Sequence, residues 1–142
     1  ALGLRAMEAP SVRTVGLAVA ASVAVTAVHY TDNYVSIDDY PQPGYINQEL
    51  VALAWILLTL IGVAGYLFYR DRKPLAGVSY LLVYSYTGLS SLGHYAYGSS
   101  GDFTTKMHVL IWTDGIVGAV VALCALWILV ARFTRREQAS HG

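Results

Sequence analysis

From Leu50 to Leu75 the chain reads LVALAWILLTLIGVAGYLFYRDRKPL. Its first twenty residues, Leu50–Tyr69, carry no charge, and the four that follow, Arg70–Lys73, are all charged. A helix rising about 1.5 Å per residue needs about 20 apolar residues to cross a bilayer's hydrocarbon. The stretch therefore reads as one membrane span, a tight polar turn, and the start of another helix, with Pro74 suited to its first turn. Strands of a membrane barrel would be about half as long and would alternate in polarity. A helix also satisfies its own backbone polar groups, the overriding demand in lipid.

Working outward, three more apolar runs reach the same length: Thr14–Thr31, Leu75–Tyr97 and Met107–Phe133. The expected fold is all-α, an integral membrane four-helix bundle forming one domain over residues 1–142. Composition agrees, since 56% of residues are hydrophobic and only 13% charged. Mean hydropathy is +0.49, and a soluble domain needs more charge to coat its surface. The net charge of zero gives no case for nucleic-acid binding. The single cysteine, Cys124, excludes an internal disulfide and any CxxC motif, and its apolar surroundings mark it as packing. The chain begins with Ala, so residue 1 need not be the native start. The first apolar run lacks a small-x-small cleavage site, so no cleaved signal peptide is expected there.

Arginine and lysine set the direction. Arg5 and Arg13 precede the first span, Arg70, Arg72 and Lys73 fill the second connection, and Arg132, Arg135 and Arg136 close the fourth span. Only Lys106 lies on the other side, so the positive-inside rule predicts both termini in the cytoplasm and insertion in the cytoplasmic membrane. The outer face carries Asp32, Asp38, Asp39, Glu49 and Asp102 instead. The third connection, GSSGDFT, is short and makes its helices antiparallel neighbours. The first, DNYVSIDDYPQPGYINQE, is expected to be an ordered extracytoplasmic loop and not a helix, with Asn47 capping helix two and Glu49 suiting its dipole.

Small residues mark packing faces on helix one, with Gly16, Ala20 and Ala24 in one row and Ala18, Ser22 and Thr26 in the next. Helix three carries a polar stripe: Tyr80, Tyr84, Thr87, Ser91 and His94 fall on one helical face. Such a stripe belongs inside the bundle, either lining a cavity or bonding neighbouring helices. Three histidines gather at the outer helix ends. His29 and Asp32 share a face of helix one, His94 closes the stripe, and His108 opens helix four with Asp114 nearly two turns below it. Glu49 stands at the start of helix two, and His141 belongs to the tail. An ionisable residue within a span points to function by default, which makes Asp114 the sharpest single residue.

Three chemistries suit this set. Histidine with carboxylate can move protons in a semi-buried pocket. His29, His94 and His108 could instead ligate a metal, or two of them could hold haem, although no local HxxxH pair exists. No P-loop, GxSxG, HExxH or dinucleotide fingerprint is present.

The order of features resembles the EXPERA-type membrane proteins, which include the emopamil-binding sterol isomerases and the sigma-2 receptor group. The residues that carry the resemblance are His29 and Asp32, the Tyr40-Pro41 and Pro43 stretch, and Glu49. The chain departs from that pattern in having His94 and His108, and in lacking a carboxylate within helix two. The resemblance implies binding or isomerisation of a sterol- or isoprenoid-like molecule at a lipophilic pocket. It would place His29, Asp32, Glu49, His94, His108 and Asp114 as the polar set. Trp55 or Trp112 would stabilise a cation, beside a wall of Tyr80, Tyr84, Thr87 and Ser91. The expected partners are membrane lipid and a lipophilic small molecule. The competing readings are a metal or haem protein, and a homo-oligomer or small subunit of a larger membrane complex.

Overall fold

The structure is a computed structural model and describes residues 7–140. Arg5 and His141 lie outside the described residues. Four α-helices are present: α1 (Val12–Val35), α2 (Gln48–Arg70), α3 (Pro74–Leu89) and α4 (Thr105–Ser140), and no strand occurs among the described residues. Three of them, α1, α2 and α4, are long and apolar enough to cross a membrane.

The helix ends follow from local chemistry. Ser11 caps α1 by accepting a hydrogen bond from Thr14 N–H at 3.0 Å. Asn47 caps α2 in the same way, its Oδ1 accepting from Leu50 N–H at 2.8 Å, with Glu49 in the first turn. After α2, Arg72 adopts φ 60, the left-handed conformation that usually belongs to glycine. This lets Lys73 N–H reach Phe68 C=O at 2.9 Å and Arg72 N–H reach Tyr69 C=O at 3.1 Å. That pairing stops the helix and reverses the chain within RDRKP. Residues 36–47 form turns and no helix, as their prolines and glycine predict.

The third expected span, 75–97, is not one uniform helix. Its α-helical part ends at Leu89 and Ser90–Ala96 continues as a 3₁₀ helix. The sequence there, SSLGH, is rich in poor helix formers. Ser90 Oγ turns back to donate to Thr87 C=O at 3.3 Å, competing with the backbone ladder. A 3₁₀ helix rises about 2.0 Å per residue against 1.5 Å, so the composite element stays about as tall as its neighbours.

The helices run up and down in sequence order. α3 packs between α2 and α4, α1 closes the ring against the same two, and α1 and α3 scarcely touch across the diagonal. Gly88 brings the α3 backbone onto the Asp114 carbonyl of α4, where a Cβ could not fit. Gly118 allows the reciprocal approach to Leu89, and Gly62 of α2 lies under the Tyr84 ring. On α1 the row Ser22 and Thr26 is buried, whereas Ala20 and Ala24 face outward. At the end that holds both termini, Val15, Val19, Leu81, Val121, Ala125 and Ile128 form an apolar core. There Trp127 Nε1 donates to Glu8 C=O at 2.8 Å and the Tyr69 hydroxyl donates to Pro10 C=O, strapping the N-terminal segment to α4 and α2.

Candidate functional site

The inward face of α1 changes character along its length. Val15 and Val19 give way to Ser22 and Thr26, and then to His29 and Asn33. α3 follows the same course, from Val78 and Leu81 through Tyr84 and Thr87 to Ser91 in the 3₁₀ segment. α4 enters from the opposite direction and sets Asp114 between them.

Asp114 is wholly buried and His29 is 2% exposed. His29 Nδ1 lies 3.0 Å from Asp114 Oδ2, and Ser91 Oγ donates to that same oxygen. The imidazole stands at ion-pair distance but off the line of a hydrogen bond, and Asp114 Oδ1 has no partner. Both neighbours converge on the carboxylate, so this is not the relay in which histidine takes a proton from serine. With Nδ1 turned to Asp114, Nε2 is the ring nitrogen left for the space in front of it.

His94 is fixed from both sides. Its Nδ1 donates to Pro41 C=O at 2.9 Å, which leaves Nε2 to accept from Asn33 Nδ2 at 3.2 Å. Asn33 Nδ2 also donates to Gln42 Oε1 at 3.3 Å, and Gln42 Nε2 donates to Ile37 C=O at 3.2 Å. Backbone carbonyls thus anchor both ends of the chain of side chains, and this sets the orientation of every amide in it. Tyr40 closes the top. Its ring stacks on His29 at 5.8 Å and tilts against His94 at 5.1 Å. Its hydroxyl donates to Asp32 Oδ2 at 2.8 Å, while Lys106 Nζ holds Asp32 Oδ1 at 2.7 Å. Burial, and then the Asp32 carboxylate, push the Tyr40 hydroxyl well above the usual phenol range, so it stays a donor.

In front of His29 lies an open pocket of about 340 Å³ between α1, the first loop, α2 and the end of α3. His29, Asn33, Ser90, Ser91 and His94 form its inner wall. Leu50, Val51 and Ala54 of α2 form an apolar outer wall. The exposed rings of Tyr45, Tyr86 and Tyr97 frame its mouth. A shallower hollow of about 270 Å³ lies on the other side of Tyr30, where Trp55 Nε1 donates to Thr26 Oγ1 at 3.1 Å.

The structure therefore brings His29, Ser91, His94 and Asp114 together and leaves Asp32 at the edge of the group, tied to Tyr40 and Lys106. Tyr84 and Thr87 are buried below it, and Trp55 stands in the adjoining hollow. Four expected residues lie elsewhere. Glu49 is exposed at the start of α2, and Trp112 is 56% exposed on the outer side of α4. Tyr80 is 40% exposed with its ring edge-on to Phe68, so the buried stripe starts at Tyr84. His108 accepts from the Tyr95 hydroxyl at 2.7 Å and donates to Ser100 C=O at 3.2 Å, a clasp on the α3–α4 connection. Among the described residues no three His, Cys, Asp or Glu side chains gather as a metal would require.

Sequence reasoning missed Asn33 and Gln42, and named Tyr40 only within the stretch that carries the family resemblance, with no role in the site. Asn33 carried a usable signal, because it stands one turn beyond His29 on the same face. Gln42 carried none, since it lies in a loop whose path no periodicity fixes. No protein-family model, curated protein or solved structure matches the chain, so its own geometry has to carry the functional argument.

Proposed function

We propose that this chain is an integral protein of the cytoplasmic membrane, with both ends inside, whose outer-end pocket holds a lipophilic, sterol- or isoprenoid-like small molecule. The three long helices support insertion, as do the apolar side chains they turn outward, among them Leu53, Leu57 and Leu60 of α2 and Ile116, Leu123 and Val130 of α4. A water-facing surface rarely tolerates patches of that extent. The arginine and lysine bias supports the orientation.

The observation that carries the binding reading is a pocket with an apolar outer wall and an inner wall of His29 backed by Asp114. Few polar groups set on an apolar surface are the usual composition of a small-molecule site. A hydrocarbon body would lie along Leu50, Val51 and Ala54, with its polar end at His29, Ser91 and His94. The resemblance to EXPERA-type proteins agrees with this reading and adds double-bond isomerisation to it. His29, oriented by Asp114, is then the group placed to deliver a proton to one carbon and to take one from another.

The test is extraction of purified protein from lipid nanodiscs, followed by mass spectrometry of the retained lipids. The wild type should retain a sterol- or isoprenoid-like lipid, and the Ala54→Trp variant, which fills the pocket, should lose it. Equal lipid content in the two proteins would overturn the reading.

A further inference from the structure

Far from the pocket, at the end that holds both termini, Arg70, Arg72 and Lys73 stand exposed in the turn between α2 and α3. Arg135 and Arg136 stand exposed near the end of α4. That helix is longer than the bundle requires. Ala131 is its last buried residue among those described, yet the helix runs on to Ser140, roughly 13 Å further at about 1.5 Å per residue. The extension carries its arginines past the apolar core on a regular helix.

Acidic residues do not offset these cations. Glu8, Asp71 and Glu137 are the acids described at this end, and Asp71 pairs with Arg70 at 3.0 Å. The opposite end is the reverse. Asp38, Asp39, Glu49 and Asp102 are exposed there, and its one lysine, Lys106, is held by Asp32 at 2.7 Å. Within about a turn of the inner cations the helices expose Leu67, Leu75, Val130 and Phe133. Charged and hydrocarbon-facing side chains therefore meet along one line. Lys73 Nζ lies 5.9 Å over the Phe68 ring, which seats its charge at that line.

Arg72 is the sharpest of the set. Its φ of 60 is the one positive φ among the described residues. Glycine would make the same turn without crowding a Cβ against the backbone. The backbone gains nothing from an arginine in that place, so the reason for it has to lie in the exposed side chain.

We propose that this end is a binding surface for anionic phospholipid headgroups, with Arg72 and the arginines of the α4 extension receiving the phosphate. The assignment rests on the reading of the chain as an integral membrane protein and adds which lipid it gathers. A guanidinium offers a fork of N–H donors that matches phosphate oxygens. The apolar side chains beside the cations meet acyl chains, which a free phosphate lacks, so the occupant is a lipid. The acidic outer end repels the same headgroups, which confines the preference to one leaflet.

The test is reconstitution of the full chain into phosphatidylcholine vesicles. Spin-labelled phosphatidylglycerol then competes with spin-labelled phosphatidylcholine for the lipid shell of the protein. The wild type should prefer phosphatidylglycerol at least about twofold, averaged over the shell, at about 0.02 M NaCl. The preference should fall to near parity at about 0.5 M, where exposed charges are screened. Arg72→Gly should lower the preference while raising the melting temperature, two effects that a purely structural residue would not oppose. Arg72→Lys should keep the preference, and Arg72→Gly/Arg135→Gln/Arg136→Gln should bring it to parity. Parity in the wild type, a preference indifferent to salt, or an unchanged preference in Arg72→Gly would overturn the assignment and leave the membrane reading standing. A chain that alkaline carbonate strips from the vesicles overturns the membrane reading, and the assignment falls with it.

Discussion

The two halves of the bundle are built from the same four helices on different terms. Toward the termini the helices meet chiefly through the apolar side chains Val15, Val19, Leu81, Val121 and Ile128. Toward the loops they meet through Thr26, His29, Thr87, Ser91 and Asp114, all buried. In lipid, an apolar contact between helices gains only packing, because the surrounding tails are as apolar as the side chains. A polar contact there has far more to lose, since an abandoned partner finds no water. One half holds by fit and tolerates repair by any group of similar shape. The other depends on partners, and a group removed on one helix leaves a debt on another.

The largest effect should come from dividing the polar set. Asp114→Ala strands the buried His29 and Ser91, and breaking a buried pair typically costs about 3–5 kcal/mol. Denaturant unfolding in detergent would measure it, and a loss below about 1 kcal/mol would show that the two halves do not differ in this way. Replacing both partners should separate stability from binding. His29→Leu/Asp114→Leu leaves no orphaned charge, so it should unfold within about 1–2 kcal/mol of the wild type while losing retained lipid. If the double variant is as unstable as Asp114→Ala, the cost lies in shape and not in the pairing.

In the apolar half, Leu81→Ala should cost about 2–3 kcal/mol, at the lower end of the usual core range because the transfer gain is small in lipid. The same half offers a smaller positive effect at its margin. Arg72→Gly relieves the left-handed backbone after α2 and should stabilise by about 1 kcal/mol, read as a raised melting temperature with unchanged lipid content.

These halves were unequally legible in the sequence. The helices follow from run length and charge alone, and Asn47, Glu49 and Pro74 take the end positions that their chemistry predicts. The change of pitch at Ser90 was not legible as a boundary, because the apolar run continues through it to Tyr97. Helical spacing gave Ser22, Thr26 and His29 of α1 and Tyr84, Thr87 and Ser91 of α3, since an angle about a helix axis is a local property. It also counted in Ala20, Ala24 and Tyr80, which face outward. It did not give partners. On α4 it set Asp114 beneath His108, yet Asp114 turns to His29 of α1 while His108 turns to Tyr95. Which faces meet depends on helix rotation and crossing, and here on Gly88, which admits the Asp114 carbonyl against α3.

The mouth of the pocket, framed by the exposed rings of Tyr45, Tyr86 and Tyr97, has a consequence for any titration. In a chain seated in a bilayer as proposed, a ligand approaching that mouth would first dissolve among the lipids and search in two dimensions. Occupancy would then follow the mole fraction of ligand in the membrane and not its molarity in the buffer. Doubling the lipid at fixed total ligand would halve the effective dose, as dilution does for a soluble receptor.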